Sequence, residues 1–141
     1  KGMDLVPALR AGLAPTLDVR VVGGTHESSL AVRDAIARAR VLLHPARSEG
    51  FGYPLLEAMA AGVPVVTSDG GALGETAGGA ARVVAAGDTP AMVAAAHELA
   101  LDGPARTALV AAGRARARQF APEDVAATWS ELFDAVLGQP A

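Results

Sequence analysis

Cysteine is absent from the 141 residues, so neither a disulfide nor a thiolate-bound zinc ion can be built. Lysine occurs once, at Lys1, and arginine carries the remaining positive charge, a bias that by itself points to no function. The formal net charge of −3 gives no electrostatic ground for a nucleic-acid partner. No apolar run approaches the roughly 20 residues of a membrane-spanning helix. No signal-peptide pattern opens the chain, and a cytoplasmic location is expected. His, Asp and Glu fall at no metal-ligand spacing, so no metal is expected. Internal repeats and low-complexity segments are missing too. Apolar residues make up 51%, but many are alanine, so a core must be assembled from few Val and Leu side chains. The length suits one domain with its own core.

What is present is an alternation of strand and helix signals. A helix is expected from Met3 to about Ala11, a strand over Leu17–Val22 closed by Gly23-Gly24, and a helix over 27–40 capped by Ser28 or Ser29. Val41–Pro45 reads as a strand buried on both faces, Val63–Ser68 as the next, and Ala80–Ala85 as a further one. Helices follow over about 91–101, 104–119 and 122–137, broken by Asp102-Gly103-Pro104 and Phe120-Ala121-Pro122. In the last helix, Trp129, Leu132, Phe133 and Val136 form a stripe at helical spacing that needs a surface to pack on. Arg114, Arg116 and Arg118 read as a solvated basic face. The alternation predicts an α/β fold, a doubly wound parallel sheet with terminal helices.

The chain is organised around Ser48-Glu49-Gly50-Phe51-Gly52-Tyr53-Pro54-Leu55-Leu56-Glu57. This is a glycine-punctuated turn running into a helix, and it follows the Val41–Pro45 strand at its carboxyl end, the edge where α/β sheets bind ligands. Pro54 suits a first helical turn, and Gly62 followed by Pro64 ends the helix. Unsatisfied amides and the positive dipole end make such a helix opening a seat for an anion. Gly50 and Gly52 let the backbone approach a ligand with no side chain in the way. Carboxylates on either side repel a bare phosphate but accept hydrogen bonds from hydroxyls, so a phosphate joined to sugars fits best. Other candidates sit nearby. His26 reads as a surface histidine; His44, at a strand end, either orients a ligand or is structural; Arg47 precedes Glu49 on its loop; Glu75 opens a short helix after Gly70-Gly71.

Glu49 and Glu57 are separated by seven residues, with Gly50-Phe51-Gly52 after the first and Ala58-Met59-Ala60-Ala61-Gly62-Val63-Pro64-Val65-Val66 after the second. This resembles the glutamate-x7-glutamate motif of the retaining glycosyltransferases of family GT4. The resemblance implies the carboxy-terminal, Rossmann-like donor-binding half of a GT-B fold. It implies an amino-terminal acceptor domain outside these residues, and a missing segment near residues 24–30, where the family carries a strand, a helix and a loop that touches the nucleobase. The last helix would cross back toward that absent domain.

By the same resemblance, the reaction moves a hexose from a UDP- or GDP-sugar to an acceptor with retention of configuration and without a metal or other cofactor. Lys1, beside Gly2, contacts the donor diphosphate together with the amides of Leu55 and Leu56. Glu49 is the catalytic carboxylate, as nucleophile or as orienting charge, and with the Phe51 and Gly52 amides it holds the sugar hydroxyls. Gly50 and Tyr53 complete the donor loop, and Glu57 accepts hydrogen bonds from the ribose. The acceptor is a sugar, a lipid-linked sugar or a small molecule, with peripheral membrane contact through the absent domain. The Tyr53-Pro54 and Glu75-to-Gly79 versions of the pattern lean toward mannosyl- or rhamnosyl-type members. Two other readings stand beside this one: another GT-B enzyme such as an epimerase or phosphorylase, and a non-catalytic nucleotide-sugar-binding module.

Overall fold

The computed structural model describes residues 2–22 and 27–137. Lys1, His26 and part of the expected gap near residues 24–30 lie outside them. A short 3-10 turn, Met3–Leu5, leads into α1, Val6–Leu13, whose Pro7 sits in the first turn where its missing N–H costs nothing. Helix α2, Ser29–Ala37, is capped by the Ser28 hydroxyl, which accepts from the Ala31 amide at 3.2 Å. Then come β1, Leu42–His44; α3, Tyr53–Ala61; β2, Val65–Ser68; α4, Leu73–Ala77; and β3, Arg82–Val84. Helices α5, Thr89–Ala100; α6, Pro104–Arg118; and α7, Pro122–Leu137 complete the order.

The three strands pair in chain order, β1-β2-β3, and both pairings are parallel. Parallel neighbours require crossovers, and α3 and α4 supply them. Val65 and Val66 are adjacent on β2 and fully buried, but they belong to different cores. Val65 packs with Leu55, Ala58 and Met59 of α3, Ile36 of α2, and Leu73 and Ala77 of α4. Val66 packs with Leu9 of α1 and Met92, Ala95 and Leu99 of α5. Side chains of successive strand residues point to opposite faces, so the sheet is covered on both sides. This is a Rossmann-like half of a GT-B fold. Helix α6 closes over α3, where Gly113 admits Met59.

The expected strand over Leu17–Val22 is not formed. A strand exists only by pairing its backbone, and among the described residues no strand pairs with this stretch. Leu17 to Val22 line a cavity of about 580 Å³ shared with β1. That cavity also corrects the expectation for Val41–Pro45. With β2 its one paired neighbour among the described residues, β1 has Leu42, Leu43 and His44 half-buried, whereas every residue of β2 is buried. On α7 the apolar stripe is half-exposed, with Trp129, Leu132 and Phe133 each at 50–54% and the two rings 5.7 Å apart.

Candidate functional site

The loop from Pro45 to Gly52 leaves the carboxyl end of β1 and is held by main-chain and hydroxyl contacts from the strand ends around it. Ser68, the last residue of β2, donates its hydroxyl to the Ala46 carbonyl, and Thr67 Oγ1 donates to the His44 carbonyl at 3.2 Å. Glu49 forms an isolated parallel bridge with Gly71, and the Ala72 amide donates to the Glu49 carbonyl at 3.0 Å. The Thr76 hydroxyl donates to the Phe51 carbonyl at 2.5 Å. The ligand-side loops after β1 and β2 are therefore stitched into one surface.

Helix α3 opens at Tyr53. Its cap, Gly52, adopts a left-handed conformation with φ +87°, and a Cβ there would collide with Leu73. Leu55 and Leu56 are buried and anchor the opening to the core. The Leu55 amide donates to the Gly52 carbonyl at 3.0 Å. Because the helix begins at Tyr53, with Pro54 in its first turn as expected, the Leu56 amide also reaches that carbonyl by the i→i−4 pattern. The amides expected to face an anion are thus engaged inside the helix start. Helix geometry leaves those of Gly52 and Tyr53 without an intrahelical acceptor.

Glu49 is partly buried, with Oε1 accepting from the Gly50 amide at 3.2 Å and Oε2 standing 3.6 Å from His44 Nε2. It lines the 580 Å³ cavity with His44, Pro45, Ala46 and Pro54. Glu57, also partly buried, lines a second cavity of about 1380 Å³ with Phe51, Tyr53, Leu56, Arg114 and Arg118. The two acids do not share a cavity. The first turn of α3 contributes to the walls of both, Pro54 to one and Tyr53 to the other. Phe51 is half-buried between the rings of Tyr53, at 4.8 Å, and Phe120, at 5.6 Å, while Tyr53 is 69% exposed. Gly50 is exposed with open space where a Cβ would stand.

Lys1 lies outside the described residues, but its neighbour Gly2 is buried, and a Cβ on Gly2 would overlap the Pro45 carbonyl at the end of β1. Arg47 pairs with Asp4 at 2.7 Å, tying the loop of Glu49 to the turn that follows Gly2. The Arg47 guanidinium holds the Asp4 carboxyl below its usual range, and Asp4 raises Arg47 in return.

Three features escaped the sequence reading. His44 faces Glu49, for which the only signal was its place at a strand end. Gly71 carries the bridge to Glu49, signalled by the glycine pair after β2. Arg116 is not on a solvated face: it donates to the Thr76 carbonyl at 3.0 Å and the Glu75 carbonyl at 2.8 Å, with its guanidinium 4.7 Å from the centre of the Phe120 ring. It closes the carboxyl end of α4, where a cation is favoured. Among the described residues no cluster of three His, Asp or Glu stands close enough to hold a metal ion, and no helix is long and apolar enough to cross a membrane.

Residues 2–102 match the profile of the family described as glycosyl transferases group 1, and the chain belongs to that family. It is 41% identical over 88 residues to the O-antigen chain mannosyltransferase B of Escherichia coli, covering 62% of this chain and 23% of that protein. It is 41% identical over 98 residues to the lipopolysaccharide core biosynthesis mannosyltransferase LpsB of Rhizobium meliloti strain 1021, covering 66% and 28%. With the MMP alpha-(1->4)-mannosyltransferase of Mycolicibacterium hassiacum it shares 34% over 128 residues, 87% of this chain and 30% of that one. The chain therefore spans between about a quarter and a third of the length of these relatives.

Proposed function

We propose that the full-length protein is a retaining GT4-type glycosyltransferase that moves a hexose from a UDP- or GDP-sugar to an acceptor, and that these residues are its donor-binding half. The carrying observation is the single helix opening at Gly52-Tyr53, which walls two cavities with one glutamate in each. A nucleotide diphosphate sugar has the matching plan: an anionic centre with a sugar at one end and a ribose at the other.

In this reading the diphosphate rests on the opening of α3. The Gly52 and Tyr53 amides and the helix dipole stabilise the charge that grows on it as the glycosidic bond breaks. Leu55 and Leu56 hold that opening in place, and their amides reach the phosphate only as shared donors. Lys1 adds a positive charge from the segment that Gly2 seats beside Pro45. Glu49 faces the sugar as nucleophile or orienting charge, with Gly50 and Phe51 giving main-chain access. Glu57 and Tyr53 face the nucleoside side. Charge stabilisation by amides and Lys1 needs no metal. Mannose is the favoured sugar, because the three relatives described above are all named as mannosyltransferases. The acceptor is a sugar, a lipid-linked sugar or a small molecule, held by an amino-terminal domain that also makes any membrane contact, and the protein works in the cytoplasm.

The test is a transfer assay on the full-length protein with a panel of UDP- and GDP-sugars, the product anomer read by NMR. Transfer from one nucleotide sugar with retained configuration is expected. Conversion of the donor without any acceptor, or donor binding without turnover, would contradict the proposal.

A further inference from the structure

His44 and Glu49 reach the same point from differently anchored pieces of chain. His44 ends β1, in register with Thr67 of β2, and its carbonyl accepts the Thr67 hydroxyl at 3.2 Å. Its side chain is 19% exposed. Glu49 lies on the loop beyond, with its main chain bridged to Gly71 and its carbonyl bound by the Ala72 amide. Neither backbone can shift far without breaking sheet contacts, so their spacing is set by the fold.

One carboxylate oxygen of Glu49 takes a hydrogen bond, and the other has the His44 ring beside it just beyond hydrogen-bond length. Oε1 accepts from the Gly50 amide at 3.2 Å, and Oε2 lies 3.6 Å from His44 Nε2, within ion-pair reach when the imidazole is protonated. A glutamate side chain otherwise samples many rotamers, and ordering it at the moment of reaction costs entropy. Groups already aligned avoid that cost. We infer that His44 is a positioning residue for Glu49, setting the plane of the carboxylate that meets the donor sugar; this rests on the glycosyl-transfer reading above. Asp18 and Arg20, on the extended stretch before residue 22, and Arg38 and Arg40, at the end of α2, line the same cavity, so charge alone does not single out His44. Its closeness to Oε2 does.

The test uses the full-length protein. His44→Ala is expected to lower kcat about tenfold with donor KM within about twofold, and His44→Gln to recover much of the loss because its amide can donate toward Oε2. In a Glu49→Gln background, His44→Ala is expected to add no further loss. An unchanged kcat, a loss confined to KM, or a second full tenfold loss in that background overturns the inference. A readout without turnover runs in parallel on protein labelled with 15N-histidine. The His44 Nε2 resonance moves on Glu49→Gln and stays in place on Glu57→Gln; a resonance unmoved by Glu49→Gln overturns the contact. A moved resonance in a protein that transfers no sugar supports the contact and brings down the transferase reading. Transfer with an unmoved resonance brings down the positioning role alone.

Discussion

Glu49 and Gly71 lie backbone to backbone, so close that a Cβ on Gly71 would overlap the Glu49 carbonyl, and Gly71 holds φ at +71°. The contact joins the loops after β1 and β2 at the residue proposed to face the sugar. Gly71→Ala therefore meets both a forbidden backbone region and a steric overlap. A loss of about 1–3 kcal/mol in denaturant unfolding is expected, together with slower transfer as Glu49 is displaced. Unchanged stability and rate would show that the bridge does not hold the loop.

The two glutamates line different cavities, so their removal is expected to have separable effects. Glu57→Ala should weaken donor binding by about 10- to 100-fold, the loss of one or two hydrogen bonds to a charged group. Glu49→Ala should leave donor affinity near that of the parent and lower kcat by about 100-fold. Calorimetry with the donor and steady-state kinetics check the pair. Equal behaviour of both variants and the parent protein would remove the assignment.

Leu55 is fully buried and fixes the opening of α3 to the sheet. Leu55→Ala should cost about 2–5 kcal/mol in unfolding free energy. A cost below about 1 kcal/mol would show that the helix start is not anchored through this side chain.

Arg116 is expected to be structural. Arg116→Ala removes two hydrogen bonds to carbonyls of α4 and the stacking on Phe120, a loss of about 1–3 kcal/mol. Arg116→Lys should recover only part of it, since a point charge cannot match the planar fork. Full recovery by lysine would mean that charge alone matters.

The Asp4–Arg47 pair carries a pH dependence of defined sign. Arg47 lowers the Asp4 pKa in the folded protein, so the stabilisation is present above the unfolded carboxylate pKa and is lost as pH falls through the lowered value. The gap in melting temperature between the parent and Arg47→Gln should close as pH falls below about 4. A gap that widens there would contradict the pairing. Both groups are exposed, so a small effect that shrinks with salt is expected.

The alternation of elements and the motif spacing were legible in the sequence because they rest on local rules. Pro54 in the first turn, Gly62 at the end and the apolar run through Val65 and Val66 each act within a few residues. Leu17–Val22 failed because a strand depends on a neighbour that local composition does not supply. How the Leu55 and Leu56 amides are engaged was not legible, because it follows from the left-handed conformation of Gly52, which lets α3 start at Tyr53. The contacts of Gly71 with Glu49 and of Arg47 with Asp4 join residues up to 43 apart, which no short window contains, and His44 meets Glu49 only because the loop after β1 turns back on the strand end.

The most direct test is a crystal structure of the full-length protein bound to its nucleotide sugar. The diphosphate should lie within hydrogen-bond distance of the Gly52 and Tyr53 amides, with Glu49 on the sugar hydroxyls and Glu57 on the ribose. A diphosphate seated away from the start of α3, or both glutamates on the same end of the donor, would contradict the account.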